Sequence, residues 1–199
     1  MKPEQKNLYQ AARIISVLGH PFVLLPFTVF IVAFYELPPA RAFTVGIITV
    51  FATVVPLLFI IRRKVAAGKW ADHDISVPAE RRDFYPIVIA VVAISCLVFW
   101  FLDFPRPLLI GIFISLILLL AAMFINRRSK ISLHLIFITY CAIALTAVSF
   151  WVSASLILLA VALGWSRVVL ERHSLTQVLS GALLGGFAGF ILLKVIALF

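Results

Sequence analysis

Three short polar segments interrupt an apolar chain, and each carries side chains suited to handling a phosphate. One runs Ser166-Arg167, then Glu171-Arg172-His173, then Gln177. This spacing predicts Arg167 in the last turn of one helix and His173 at the opening of the next. Gln177 then falls four residues on, along the same helical face. A side-chain carbonyl there would accept a hydrogen bond from His173 Nδ1–H, fix the tautomer and leave Nε2 as a nucleophile. Arg167 offers a planar fork to phosphate oxygens. A second segment is Lys130-Ile131-Ser132-Leu133-His134, where another helix is expected to start. Free amides and the dipole at such an N-terminus favour an anion. Ser132 adds a hydroxyl, Lys130 a cation, and His134 a general acid for a leaving oxygen. The third segment, Asp72-His73-Asp74 through Glu80-Arg81-Arg82-Asp83, falls in a loop and supplies Arg81 and Arg82 to complete a phosphate clamp.

The same side chains admit other roles. Asp72, His73 and Asp74 are plausible ligands for a divalent cation. Asp74 can equally pair with a neighbouring arginine and hold its loop. His20, in Gly19-His20-Pro21, is expected to play a structural or supporting part. Glu171 and Arg172 read as solvated interface charges. Cys96 and Cys141 lie inside apolar runs without CxxC spacing and read as small packing residues.

The elements that must position these groups are membrane spans. The 199 residues are 64% hydrophobic and 13% charged, with a mean hydropathy of +1.17. Soluble domains average roughly 45–50% apolar and about 25% charged. That contrast excludes a water-soluble globule, and 18 Phe with 4 Trp exclude a disordered chain. Apolar runs at about 14–35, 42–61, 84–102, 107–125, 131–151, 152–170 and 175–198 predict seven spans. The expected fold is therefore an all-α polytopic bundle forming one integral membrane domain over 1–199. No removable signal peptide is expected at the polar N-terminal stretch. Pro26, Pro56 and Pro86 fall in or near spans, where neighbours must satisfy the freed carbonyls.

Seven spans sort the connections into two sets. The N-terminus, 62–83, 126–134 and 166–174 share one side. Of the 17 Lys and Arg, only Arg41, Arg106 and Lys194 lie elsewhere. Lys2, Lys6 and Arg13 join the basic side, and the positive-inside rule predicts that this side is cytoplasmic. Basic residues at membrane ends, with no recognition module, argue against nucleic acid as the partner of the +9 charge. Gly181, Gly185 and Gly189 form a four-residue stripe for close helix approach, either within the chain or in a homo-oligomer.

Ser166-Arg167 with His173 and the following glycine-rich helix resembles the third signature of the type 2 phosphatidic acid phosphatase superfamily, integral lipid phosphatases related to the vanadium haloperoxidases. Ser132-Leu133-His134 is similar to the Ser-x-His of the second signature. Asp74-x6-Arg81 matches only the arginine of the first. The resemblance spans about 72–185, in family order. It departs from the pattern at Asp74, which replaces a lysine, and at Ile131 and Leu133, which replace a proline and a glycine. It departs again at Gln177, which stands where an aspartate usually orients the nucleophile. A similar His-x3-Gln arrangement resembles the dolichyl diphosphate phosphatase branch.

The resemblance implies a six-helix core and metal-independent hydrolysis without a cofactor. His173 would form a phosphohistidine, and His134 would protonate the leaving group. Arg81, Arg167 and Ser132 would bind phosphate, with Lys130 or Arg82 replacing the missing lysine. The implied substrate is a membrane lipid of the phosphatidic acid, phosphatidylglycerol phosphate or polyprenyl diphosphate type. Two other readings are a non-catalytic relative that binds or moves a phosphorylated lipid, and a metal-dependent diphosphate-lipid transferase using Asp72 and Asp74.

Overall fold

The computed structural model describes residues 3–72, 74–75 and 77–198. Lys2 and His73, both noted above, lie outside them. Among the described residues there are nine α-helices and no strand. They are α1 (Pro3–Leu18), α2 (Pro21–Glu36), α3 (Pro39–Thr49), α4 (Val55–Ala66), α5 (Pro78–Phe101), α6 (Arg106–Asn126), α7 (Leu133–Ala144), α8 (Phe150–Val169) and α9 (Leu175–Ile196). A π-helical segment, Val50–Val54, joins α3 to α4, and a 3-10 turn, Leu145–Ala147, follows α7.

Five helical stretches are long and apolar enough to cross a membrane: α3 through α4, α5, α6, α8 and α9. The pair α1 and α2, bent by 45° at its break, adds a sixth if it makes one span. The protein is an all-α, multi-pass membrane protein. Two details depart from the expected spans. The run at 14–35 is broken at Gly19-His20, because Pro21 lacks the N–H that would continue α1. The run at 131–151 is helical only over Leu133–Ala147. Ser149 ends it: its Oγ accepts the Val152 N–H at 3.4 Å and starts α8 there. At about 1.5 Å per residue this helix rises about 22 Å, short of a hydrocarbon core of about 30 Å. Its side chains are buried almost throughout, so protein rather than lipid surrounds it.

The chain forms two compact units. One takes the two ends of the chain, up to Ile31 and from Ile125 onward. In it α7 packs against α8 and α9, and α1 packs against α8.

The other unit is Val32–Phe124. Its π segment has a visible cause. Pro56 offers no N–H to the Ala52 carbonyl four residues back, and its ring would crowd that carbonyl in a regular helix. The widened turn makes room. Ser95 Oγ of α5 lies 3.1 Å from the Ala52 carbonyl and 2.9 Å from its own Val91 carbonyl. A neighbouring helix thus answers the freed acceptor. Pro78 starts α5 earlier than the apolar run alone predicts, so Arg81 and Arg82 belong to its opening turns and not to a loop. The loop between α4 and α5 is closed by Trp70, buried against Phe84 and beneath Lys64 Nζ.

Candidate active site

The chemistry-bearing residues of the first unit gather around the connection between α8 and α9. Helix α8 ends with Glu171 at φ 55°, a left-handed residue that turns the chain. The Glu171 N–H reaches the Val168 carbonyl at 2.9 Å, and the Arg172 N–H reaches that of Arg167 at 3.0 Å. These two bonds close the helix end as a Schellman motif. The Arg167 carbonyl also accepts the His173 N–H at 3.2 Å. His173 is therefore held by the end of α8, one residue before Ser174, which precedes α9.

Ser174 is the N-cap of α9 and forms a capping box with Gln177. Its hydroxyl accepts the Gln177 N–H at 3.4 Å, and its own N–H donates to Gln177 Oε1 at 3.2 Å. That second bond identifies the atom facing it as the amide oxygen, since an N–H needs an acceptor. The same Oε1 lies 3.2 Å from His173 Nδ1. A carbonyl oxygen cannot donate, so Nδ1 carries the hydrogen, and in the neutral ring the lone pair is then on Nε2. The pairing of His173 with Gln177 is the expected one, but its cause differs. His173 lies outside the helix, and the capping box, not a shared helical face, brings the two together.

Helix α7 begins beside this turn. Ser132, its N-cap, donates its N–H to the Gln177 carbonyl at 3.4 Å. The close approach is enforced along α9. A Cβ at Gly181 would fall 2.7 Å from the Ser132 carbonyl, and one at Gly189 would fall 2.7 Å from Ile143 Cβ. At Gly185 it would run into the Ile136 carbonyl and Thr139 Oγ1. Of the two uses expected for the glycine stripe, packing within the chain is the one observed. The Ser132 hydroxyl is fully buried, does not cap its helix, and has no hydrogen-bond partner among the described residues. The opening amides of α7 have no carbonyl one turn earlier to bond.

Arg167 projects inward from the last turn of α8 and is 3% exposed. Its Nη1 donates to Ser16 Oγ of α1 at 2.8 Å. The preceding Ser166 Oγ donates to the Ala12 carbonyl at 2.6 Å. The His134 imidazole is buried at the start of α7. The His20 ring packs edge-on to His134, with centroids 4.9 Å apart and planes at 88°. Lys130 Nζ donates to the Arg172 carbonyl and ties the α6–α7 connection to the α8–α9 connection.

Lys130, Ser132, His134, Arg167, His173 and Gln177 thus share one unit and one neighbourhood. Arg81 and Arg82 belong to the other unit. There Arg81 Nε donates to the carbonyl of Ile75 at 3.0 Å, holding a buried residue at φ 50°, and Arg82 is exposed. Asp72 Oδ1 accepts the Asp74 N–H at 2.9 Å, a local turn. Glu171 is exposed, as expected, while Arg172 is partly buried. Ser16 was not legible as a partner of Arg167. Its signal is the small-residue spacing Ala12, Ser16 on α1 and Gly19 just past its end, which face Ser166, Arg167 and Leu163.

Chemically, the cluster offers an imidazole whose Nδ1–H faces an amide oxygen, a second buried imidazole, a guanidinium, and a buried hydroxyl at a helix N-terminus. No family model, no curated protein and no solved structure matches the chain.

Proposed function

We propose that this protein is a membrane phosphatase acting on a lipid phosphate or diphosphate, of the type 2 phosphatidic acid phosphatase kind. The observation that carries the reading is the His173–Gln177 pair. The Ser174 N–H fixes the amide, the amide oxygen fixes the hydrogen on Nδ1, and the neutral ring then attacks through Nε2. The setting supports an anion as its target. A buried hydroxyl without a partner costs about 1–3 kcal/mol, and Ser132 bears that cost where helix amides favour negative charge.

The reaction runs in two displacements. His173 Nε2 attacks phosphorus in line; the P–N bond forms as the P–O bond to the lipid breaks. His134 gives its proton to the departing oxygen. Water then attacks phosphorus, the P–N bond breaks, and His134 takes the proton the water loses. Arg167, the Ser132 hydroxyl and the opening amides of α7 stabilise charge on the equatorial oxygens. The lipid tail stays in the bilayer.

The same proposal counts seven crossings, with Leu133–Ala147 as a short one, and places the basic ends in the cytoplasm. A carboxy-terminal reporter active only in the cytoplasm would contradict that topology. The enzymatic test is phosphate release from phosphatidic acid, phosphatidylglycerol phosphate and polyprenyl diphosphate, with and without chelator. The wild type is expected to release phosphate from at least one of them in both conditions. His173→Ala is expected to release none and to trap no phosphoenzyme. Full activity in that variant would end the assignment.

A further inference from the structure

The break between α1 and α2 carries a histidine that the proposed reaction does not yet use. Gly19 presses its backbone against α8: a Cβ there would fall 2.6 Å from Leu163 Cδ2. A larger residue would have to displace the Leu163 side chain, and the close approach brings the next residue, His20, to the start of α7. His20 is the N-cap of α2 in two ways. Its carbonyl accepts the Leu24 N–H at 3.0 Å, and its ring Nδ1 accepts the Phe22 N–H at 3.2 Å. A ring nitrogen that accepts an N–H holds a lone pair, so the hydrogen of this neutral imidazole is on Nε2. The ring is thereby fixed at one end by the backbone, and its other side meets His134 edge-on.

Capping alone does not account for an imidazole here. Asn, Asp, Ser and Thr are the favoured N-caps, and any of them would accept the same N–H. What a histidine adds is a rigid ring long enough to reach His134. Edge-to-face packing is a preferred arrangement of two rings and favours one orientation of the partner, and His134 is the group whose direction matters most to a departing oxygen.

We infer that His20 is a positioning residue for His134: anchored by the α2 N-terminus, it holds the general acid in line with the leaving group. This inference rests on the phosphatase reading above. It explains why the first apolar run is interrupted at Gly19-His20-Pro21, on the face where the site is built.

The test uses the full-length protein in vesicles, with two substrates. One is a lipid phosphate the wild type hydrolyses, whose alkoxide must be protonated to depart. The other is an aryl phosphate such as nitrophenyl phosphate, whose leaving oxygen needs no proton. His20→Asn and His20→Ser each keep an acceptor for the Phe22 N–H and remove the ring. Both are expected to lower kcat on the lipid phosphate at least about tenfold, with KM within about twofold. On the aryl phosphate both are expected to stay within about threefold of wild type, a split that His134→Asn reproduces. Full kcat on both substrates would reduce His20 to a helix cap. Equal losses on both would make it a structural residue. Either result overturns the inference and leaves the phosphatase reading standing. A wild type that releases phosphate from no substrate takes down both.

Discussion

Helix α9 meets α7 along one kind of seam, and α8 meets α1 along another. The first excludes side chains: glycines at 181, 185 and 189 leave no room for a Cβ against the facing backbone. The second uses small residues as well, Ala12, Ser16 and Gly19, but binds through hydrogen bonds from Ser166 and Arg167. A steric seam sets distance, because atoms cannot overlap. A bonded seam also sets direction, because a donor must point at its acceptor. The site takes one from each. The α7–α9 seam fixes how near the Ser132 end of α7 comes to the His173 turn, and the α1–α8 seam fixes where the Arg167 fork points. In lipid, where apolar burial between helices provides little drive, both kinds of contact are expected.

That difference can be broken at three points. The largest effect belongs to Gly185→Ala. Its new methyl meets a backbone carbonyl, which cannot swing aside, so the expected cost is about 3 kcal/mol, at the upper end for overpacking. It would be read as a lower unfolding midpoint in detergent together with lost activity; an unchanged midpoint would contradict the steric account. A middle effect belongs to Ser16→Ala, which removes an acceptor from a buried guanidinium. The expected cost is about 1.5–3 kcal/mol, with weaker activity because the fork loses its aim. Wild-type activity at reduced stability would separate the seam from the site. The smallest effect, of opposite sign, belongs to Gly186→Ala. Nothing lies within 4 Å of a Cβ there, so relief of helix entropy is expected to add about 0.5–1 kcal/mol. A loss comparable to that at Gly185 would mean that the whole segment, not one face of it, needs glycine.

Much of this was legible in the sequence, for reasons that differ by residue. Runs of apolar residues foretell helices because lipid leaves the backbone no other way to satisfy its polar groups. The glycine stripe foretells close packing because its four-residue period keeps it on one face. The His173–Gln177 pair was legible for an incomplete reason: the i, i+4 spacing was right, but the contact arises at a capping box outside the helix. The short length of α7 was hidden, since 131–151 holds no Asp, Glu, Lys, Arg, Pro or Gly and only Ser149, an ordinary residue by composition, starts the next helix. The π segment before Pro56 needed knowledge of a neighbour, because the hydroxyl that answers the freed carbonyl comes from Ser95, far along the chain. His20 was visible as a break but not as a neighbour of His134, because proximity between residues so distant in sequence is a tertiary fact.

The capping box of α9 has one further consequence. Gln177 Oε1 receives hydrogens from both Ser174 N and His173 Nδ1, so a single amide governs how a helix begins and which imidazole nitrogen stays basic. An aspartate in its place would be too short to serve both hydrogens, and a methionine would have no oxygen to offer either. Substituting Gln177 by Met is thus expected to release the Ser174 N–H and the His173 ring together, while the Ser174 hydroxyl still caps the helix through the N–H of residue 177.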